Sequence, residues 1–310
     1  MPAKPLGSFT VRPIPPFRLD LTVWALRRRA RNLIDRWDGA TYRRVISVGG
    51  ASVEVAVWQS GVSAKPRLIV STTPSLTKVT DRRQIRSVLN RLLGLRVDLA
   101  GWYRMAAGHE RLAPVAERFR GVKPPRFPTL FEALINAFAC QQLSLEVGLE
   151  LLNRLAARRG ARVHGVDVDH YAFPEPAALA AARPSQLRVL GFSGQKIRAI
   201  KALSGAIARG HLDIEELRRE PDEARLRERL LQLRGVGRWT VEYVLLRGFG
   251  RLDVIPGDDV GAQNKLAVWL GRQRPLDYAA VHRIAERYHP YAGMVYFHLL
   301  LAGLEQRGLL

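Results

Sequence analysis

The spacing of hydrophobic residues predicts strands near the amino terminus and helices over most of the remaining chain. Valines alternate with other residues over 53–58, a pattern typical of a half-buried strand. Tyr42–Val48 is rich in β-branched residues and precedes Gly49-Gly50, which favours a hairpin. Leu68–Val70 has the composition of a third strand. This region is therefore expected to form an antiparallel sheet.

Helical spacing follows a proline-marked boundary at Lys123–Pro128. Phe131, Leu134, Ile135 and Phe138 recur at the interval that places them on one apolar helix face. Further helices are predicted over residues 21–37, 185–209, 223–233, 239–247, 261–270, 278–288 and 291–304.

The two kinds of periodicity divide the chain. Residues 1–112 are assigned to an N-terminal α/β domain with an antiparallel sheet, and residues 113–310 to an all-α region. Within the second part, His164–Pro184 contains three prolines and is expected to be a loop. The expected fold class is mainly α with an N-terminal α+β domain.

The net charge indicates a polyanionic partner. Lys and Arg number 49 against 28 Asp and Glu, which gives +21 and a pI near 11.1. Nucleic acid is the partner that such a charge favours, although an arginine-rich proteome would also explain it. A basic run in the first predicted helix either contacts DNA or is a solvated face. It consists of Arg27, Arg28, Arg29, Arg31 and Arg36.

Composition excludes several other classes of protein. Cys140 is the single cysteine, which excludes disulfides, Cys-rich zinc sites and four-Cys clusters. The seven histidines show no metal-ligand spacing, and His298 is expected in the core of the last helix. No run reaches the roughly 18 apolar residues of a membrane span, and the first residues lack a signal-peptide core. A cytoplasmic, nucleoid-associated protein without membrane contact is expected.

The stretch Leu230–Thr240 (LLQLRGVGRWT) places two glycines between two predicted helices. Gly235 and Gly237 allow a tight turn and a close backbone approach. The first amides of the second helix have no intrahelical partner and, with the helix dipole, are suited to bind a phosphate oxygen. Such a contact does not depend on base sequence. The alternative is a plain helix corner with glycines for geometry.

This stretch, together with the loop Asp253–Gly261 (DVIPGDDVG), resembles the helix–hairpin–helix DNA glycosylases of the HhH-GPD superfamily. The closest resemblance is to the bacterial DNA-3-methyladenine glycosylase II group, and it extends through Phe131–Ser144 and Leu190–Lys196. It implies a helix–hairpin–helix glycosylase fold with the active-site cleft between two helical subdomains. It also implies a monomer that acts on double-stranded DNA.

The resemblance assigns roles to the residues of the hairpin. The implied DNA contacts are Gly235, Val236, Gly237, Arg238 and Thr240. A structural Na⁺ or K⁺ is expected on the backbone carbonyls of Leu231, Leu233 and Val236.

The resemblance places the catalytic carboxylate at Asp259, with Asp258 beside it. Cleavage of an N-glycosidic bond builds positive charge on the deoxyribose. An ionised carboxylate stabilises that charge and orients or deprotonates the attacking water. One alternative is that an aspartate only caps the following helix. A divalent-metal nuclease site that includes Asp253 is a further alternative, which no other acidic cluster supports.

Many relatives carry a Schiff-base lysine at the position occupied here by Trp239, and the next lysine along the chain is Lys265. No amine nucleophile is therefore supplied at the matching position. The resemblance predicts a monofunctional enzyme that leaves an abasic site, has no lyase activity and uses no organic cofactor.

The target base has to leave the stack to be reached. The resemblance places the wedge that fills the vacated space at Gln142, followed by Leu143. It places Trp239 and Tyr243, which share one helix face, in the base pocket. Aromatic faces attract a cationic purine such as 3-methyladenine or 7-methylguanine by about 0.5–2 kcal/mol.

The last helix departs from the family pattern. A usual Pro-Trp-Arg-Ser stretch is replaced by Pro290–Gly293, and a pocket aromatic is replaced by Leu300, with Tyr296 one turn earlier as a substitute. The expected substrates are alkylated bases, and ethenoadenine, hypoxanthine and uracil stay open as alternatives. A glycosylase for oxidised or mismatched bases and a non-catalytic DNA-binding protein are the remaining hypotheses.

Overall fold

The computed structural model describes residues 8–76, 78–164 and 169–310. Its first part contains a five-stranded antiparallel sheet in the order β1-β5-β4-β3-β2. The strands are β1 (Phe9–Val11), β2 (Arg36–Trp37), β3 (Thr41–Val48), β4 (Ala51–Ser60) and β5 (Arg67–Thr73). The three strands predicted from the sequence are thereby confirmed.

The hairpin between β3 and β4 forms as its residues predict. Gly49 and Gly50 have φ values of 57° and 82°, the left-handed pair that a two-residue turn requires. Val53, Val55 and Val57 are buried, whereas the residues between them are only partly covered. One face of the sheet therefore packs against the core.

Helices make up most of the remaining chain. Before the glycine hairpin they are α1 (Leu19–Arg27), α2 (Val79–Leu92), α3 (Ala100–Ala107), α4 (Ala113–Arg118), α5 (Leu130–Cys140), α6 (Leu145–Arg159), α7 (Pro176–Ala181), α8 (Pro184–Arg188), α9 (Gly194–Ala208), a 3₁₀ helix at Ile214–Arg219 and α10 (Glu223–Leu231). After it they are α11 (Arg238–Val244), a π-helical turn at Leu245–Phe249, α12 (Val260–Trp269), α13 (Tyr278–Arg287) and α14 (Ala292–Glu305). None of the described helices is long and apolar enough to span a bilayer.

The helix predicted over Leu21–Trp37 is wrong in its second half. Helix α1 ends at Arg27, because Arg28 adopts a left-handed conformation (φ 62°) and its N–H bonds to the carbonyl of Trp24 at 2.9 Å. The side chain of Asn32 then accepts hydrogen bonds from the amides of Ile34 and Asp35. Such side-chain turns compete with helix, and the segment continues into β2.

The loop predicted over His164–Pro184 is also partly wrong. Arg162–His164 (β6) pairs with Asp169–Tyr171 (β7), and residues 165–168 lie outside the described part of the chain. Helix α7 begins with Pro176, which fits the first helical position, and buries Leu179. The helix predicted over 185–209 is two helices, α8 and α9, separated at Gly191, whose φ is 103°.

The buried side chains form three hydrophobic clusters. One lies between the sheet, α1 and α2, and a second joins helices α5 to α11. The third combines α3 and α4 with α12, α13 and α14. Residues on both sides of position 112, from Leu99 to Val122, belong to this third cluster. The division of the chain at residue 112 stays a prediction.

A buried ion network fixes the sheet to helix α5. The guanidinium of Arg44 contacts Asp35 at 2.7 Å and Glu132 at 2.6 Å, and the hydroxyl of Tyr42 donates to Asp35 at 2.7 Å. All four residues are buried. Removing one partner would leave a buried charge uncompensated, which destabilises a fold. The network therefore favours the observed packing of the sheet against α5.

His298 is buried on α14, as the sequence predicts. Its ring packs 4.9 Å from that of Trp102, and its Nδ1 lies 2.7 Å from the carbonyl oxygen of Met294. The Nε2 atom has no hydrogen-bond partner among the described residues. Burial lowers the pKa of His298 to about 4, although the contact with Met294 acts in the opposite direction.

We expect acidification to destabilise the protein through His298. A histidine in the unfolded chain titrates near pH 6.5, so between about pH 6.5 and 4 the unfolded state binds more protons. The contribution of His298 is complete above this range, and roughly 3 kcal/mol of it is lost as pH falls through it. Urea denaturation from pH 4 to 8 should show a weaker pH dependence for His298→Leu.

The exposed His211 provides a matched control. The variant His211→Gln should retain the wild-type slope of unfolding free energy against pH. An unchanged slope in His298→Leu would contradict the assignment.

Candidate active site and nucleic-acid interface

A tight turn between α10 and α11 forms the hairpin that the two glycines predict. Gly235 has a φ of 83°, and a Cβ atom built there would lie 2.6 Å from the Cβ of Ala199 on α9. Only glycine therefore fits both the backbone conformation and the close approach to α9. Gly237 is the N-cap of α11 and has extended backbone geometry.

The amino end of α11 presents free amides. No side chain caps it, and the N–H of Val241 is the one that bonds to the carbonyl of Gly237, at 3.0 Å. The N–H groups of Arg238, Trp239 and Thr240 precede this bond and so belong to the uncapped first turn. This arrangement suits an anion such as a DNA phosphate. The DNA contacts of Gly235, Val236, Gly237, Arg238 and Thr240 stay predictions.

Gln141, which the sequence analysis missed, braces the hairpin from the end of α5. Its Nε2 donates to the carbonyl of Gly235 at 2.8 Å and lies 2.9 Å from the Oγ1 of Thr240. Thr240 is buried, so its hydroxyl serves this internal contact. Gln141 and Gln142 follow α5 in succession, and the sequence alone does not show which of the two side chains points inward.

The predicted cation ligands are carbonyl oxygens around the same turn. The carbonyl of Leu233 accepts the N–H of Val236 at 3.0 Å. Monovalent cation binding by Leu231, Leu233 and Val236 stays a prediction. Across residues 8–76, 78–164 and 169–310, no group of three or more His, Cys, Asp or Glu side chains could hold a metal ion.

Asp259 both caps α12 and faces the hairpin helix. Its Oδ1 accepts the N–H of Ala262 at 2.8 Å, and its Oδ2 accepts the indole N–H of Trp239 at 3.3 Å. The carboxylate is half-buried. The capping role is therefore present, and the second oxygen is directed to a residue of the predicted pocket. The catalytic role of Asp259 stays a prediction.

A buried glutamate, also missed from the sequence, holds the loop that carries Asp259. Glu242 on α11 accepts the N–H of Gly257 at 2.8 Å and the hydroxyl of Tyr278 at 2.8 Å, and it contacts the Nε2 of His282 at 3.0 Å. These contacts tie the loop and α13 to the hairpin helix. The sequence did offer a signal for a buried role of Glu242, because this charged residue stands between Val241 and Tyr243.

Asp258 pairs with the hairpin and does not cap α12. Both its oxygens accept from the guanidinium of Arg238, at 2.8 and 3.0 Å. That guanidinium also lies 3.7 Å from the centre of the Tyr278 ring. Without DNA, Arg238 thus forms an ion pair with Asp258 that is exposed to solvent.

Of the predicted pocket residues, Trp239 and Tyr243 are in contact, whereas Tyr296 and Leu300 belong to a different hydrophobic cluster. Trp239 and Tyr243 stack with their centres 5.1 Å apart and an angle of 22° between planes. Tyr296 on α14 is half-buried, and burial followed by the charge of Asp259 raises its pKa. Leu300 is buried in the cluster of the C-terminal helices, whereas Trp239 and Tyr243 pack in the cluster of α5 and α11.

The predicted wedge lies in the turn between α5 and α6. Gln142 has a φ of 53°, a conformation that a residue other than glycine adopts at a cost in energy, and its side chain is exposed. The adjacent Leu143 is 42% exposed. The turn therefore presents both side chains to solvent, and their insertion into DNA stays a prediction.

The basic run of the first helix is not a single solvated face. Arg27 and Arg28 are buried, whereas the side chain of Arg31 is 77% exposed. The guanidinium of Arg28 donates to the hydroxyl of Tyr243 at 3.0 Å and to the Oδ1 of Asn136 at 3.1 Å. Arg28 is thus a site residue that sequence reasoning placed on the surface.

Lys265 lies in the second turn of α12, and its side chain reaches back toward the start of that helix. Its Nζ donates to the carbonyl of Gly261 at 3.2 Å. Burial lowers the pKa of this amine, and the charge of Asp259 opposes the change.

Comparison with known proteins identifies the family of the chain. Residues 135–290 match the model of the HhH-GPD superfamily of base excision DNA repair proteins. DNA-3-methyladenine glycosylase 1 of Schizosaccharomyces pombe is 30% identical over 155 residues, which cover 50% of this chain and 64% of that protein. DNA-3-methyladenine glycosylase 2 of Escherichia coli is 30% identical over 182 residues, which cover 58% of this chain and 60% of that protein.

The likeness in structure covers more of the chain. The 3-methyladenine DNA glycosylase from Archaeoglobus fulgidus superposes with a TM-score of 0.82 at 25% sequence identity, over 94% of this chain and 97% of that one. The fold class predicted from the sequence is confirmed, including the N-terminal sheet. The matched family model covers half of the chain, from the middle of α5 through the hairpin and the loop of Asp259, and the chain therefore belongs to the HhH-GPD superfamily of base excision DNA repair proteins.

Proposed function

We propose that the protein is a monofunctional DNA glycosylase that hydrolyses the N-glycosidic bond of alkylated bases in double-stranded DNA. The observation that carries the proposal is the placement of Asp259. Asp259 lies on the loop that follows the hairpin helix in the chain. Its carboxylate accepts a hydrogen bond from Trp239 on that helix, and Trp239 stacks on Tyr243. The names of the Schizosaccharomyces pombe and Escherichia coli relatives support alkylated bases as the substrate class.

Binding begins with charge and with the hairpin. A net charge of +21 attracts the duplex, and the uncapped amides of α11 hold one phosphate. The exposed Gln142 then occupies the space that the extruded nucleotide leaves. These contacts fix the register of the protein without reading the base sequence.

Chemistry follows at the carboxylate. The extruded base lies beside Trp239, and the deoxyribose faces Asp259. As the glycosidic bond lengthens, its electron pair goes to the base and the sugar gains positive charge, which the carboxylate stabilises. Asp259 then accepts a proton from the water that attacks C1′. No organic cofactor takes part in these steps.

We expect Asp259→Asn to lower the single-turnover excision rate by at least about a hundredfold. Asparagine caps a helix as well as aspartate does, so loss of the cap does not explain the decrease. Release of free base from a panel of duplexes, each with one lesion, measures the rate. Fluorescence anisotropy on the same duplexes should show unchanged binding.

Asp277 offers a matched control, because it caps α13 through a bond to the N–H of Ala280 at 2.7 Å and is exposed. The same replacement, Asp277→Asn, should leave excision within about twofold of wild type, since asparagine conserves the cap. Wild-type excision rates in Asp259→Asn would contradict the catalytic role of Asp259. DNA binding by the wild type without release of any base would favour the non-catalytic alternative.

We also expect the product to be an intact strand with an abasic site. Trp239 occupies the position of the Schiff-base lysine, and the amine of Lys265 is engaged with the carbonyl of Gly261. After base release, strands should break only with alkali, and borohydride should trap no enzyme–DNA adduct. Nicking without alkali would contradict monofunctional chemistry, and loss of that nicking in Lys265→Gln would identify the amine.

A further inference from the structure

Arg28, which forms no ion pair with the described residues, contacts Tyr243 of the proposed base pocket. Arg28 is held by the left-handed turn that ends α1, and only 5% of its surface is exposed. Its guanidinium donates to the hydroxyl of Tyr243 and to the amide oxygen of Asn136. Its Nε has no hydrogen-bond partner among the described residues.

A second buried guanidinium lies close to the first. Arg247 donates to the backbone carbonyls of Ala25 and Leu26, and its guanidinium lies 5.3 Å from the centre of the Phe127 ring. Arg28 faces the same ring at 5.9 Å. Burial, and next the charge of Arg28, lower the pKa of Arg247 to about 10, which leaves it charged at neutral pH. The pKa of Arg28 is raised, although burial alone would lower it, because the hydroxyl of Tyr243 lies against the guanidinium.

Neither charge is neutralised locally. Within the described residues, no carboxylate forms an ion pair with Arg28 or Arg247, and their bonds go to carbonyl, amide and hydroxyl oxygens. The buried Arg44 differs, since it contacts both Asp35 and Glu132. The field of the two cations is therefore weakly screened in this region.

Contacts connect Arg28 to the proposed reaction centre. The guanidinium bonds to Tyr243, Tyr243 stacks on Trp239, and Trp239 bonds to Asp259. Because the hydroxyl of Tyr243 accepts its bond from Arg28, its own proton is free to be donated. Burial raises the pKa of Tyr243, so the phenol keeps this proton at neutral pH.

The charge acts differently on two classes of damaged base. A base such as 7-methylguanine is cationic before cleavage and leaves as a neutral ring, so a buried guanidinium repels it when it enters. An uncharged adduct such as ethenoadenine leaves with the electron pair of the bond and gains negative charge. A nearby guanidinium and a donating phenol stabilise that charge.

We propose that Arg28 is a specificity-determining residue that biases the pocket toward uncharged damaged bases, whose rings become negative as they leave. This inference rests on the proposed glycosylase function. The bond between C1′ and the base nitrogen breaks, and its electron pair goes to the base. Water oxygen bonds to C1′, its proton passes to Asp259, and the departed base takes a proton from solvent.

The test compares single-turnover release of ethenoadenine and 7-methylguanine from otherwise identical duplexes. Arg28→Gln should lower the ratio of ethenoadenine release to 7-methylguanine release by about tenfold, because the charge that separates the two bases is lost. Arg28→Lys retains the charge and should keep the ratio within about threefold of wild type. A structural defect alone would slow both reactions without this difference between variants.

Two matched variants separate charge from other effects. Tyr243→Phe keeps Arg28 and should slow ethenoadenine release without speeding 7-methylguanine release. Arg31→Gln removes the same charge from an exposed side chain and should leave the ratio unchanged. If Arg28→Gln does not fold, the test uses wild-type protein and duplexes in which the lesion is attached to a 2′-fluoro sugar, which resists cleavage. The measured quantity is the affinity for the ethenoadenine duplex relative to the 7-methylguanine duplex. Tighter binding of the ethenoadenine duplex is expected.

Failure of the inference differs from failure of the proposed function. Equal ratios in wild type and Arg28→Gln, or tighter wild-type binding of the 7-methylguanine duplex, would overturn the role of Arg28 and leave the glycosylase intact. Absence of base release by wild type from every lesion would overturn the proposed function itself.

Discussion

The contact between the Trp239 indole and the Asp259 carboxylate is the interaction on which the site depends. It joins the hairpin helix to a loop that has little regular structure of its own. Glu242 adds a second junction, since it binds the amide of Gly257 from the same helix. A loop residue can hold a fixed position when its neighbours attach it to a rigid element in this way. The hairpin therefore fixes the position of the carboxylate, in addition to its proposed role in phosphate binding.

Local patterns sufficed to predict much of the fold. Alternating valines and a Gly-Gly turn determine β3 and β4 through short-range rules, and the stripe from Phe131 to Phe138 is buried on α5 as its spacing indicates. The glycine hairpin was visible for the same reason, because its turn and helix start lie within eleven residues. The prediction failed after α1, where the left-handed Arg28 ends the helix and the side chain of Asn32 then forms a turn.

The residues that sequence reasoning missed act over long distances in the chain. Arg28 meets Tyr243 across 215 positions, and Arg44 meets Glu132 across 88. No local period reports such pairs, so arginines in a basic run were assigned to the surface. Burial separates them only after the chain has folded, because a guanidinium is kept inside when oxygen acceptors surround it.

The side-chain amide of Gln141 connects two parts of the candidate DNA-binding surface. It connects the turn that displays Gln142 with the carbonyl of Gly235 and the hydroxyl of Thr240. The exposed side chain of Gln142 and the uncapped amides of α11 are consequently held in one fixed arrangement. The proposed wedge and the proposed phosphate contact would therefore meet DNA at a fixed spacing from each other.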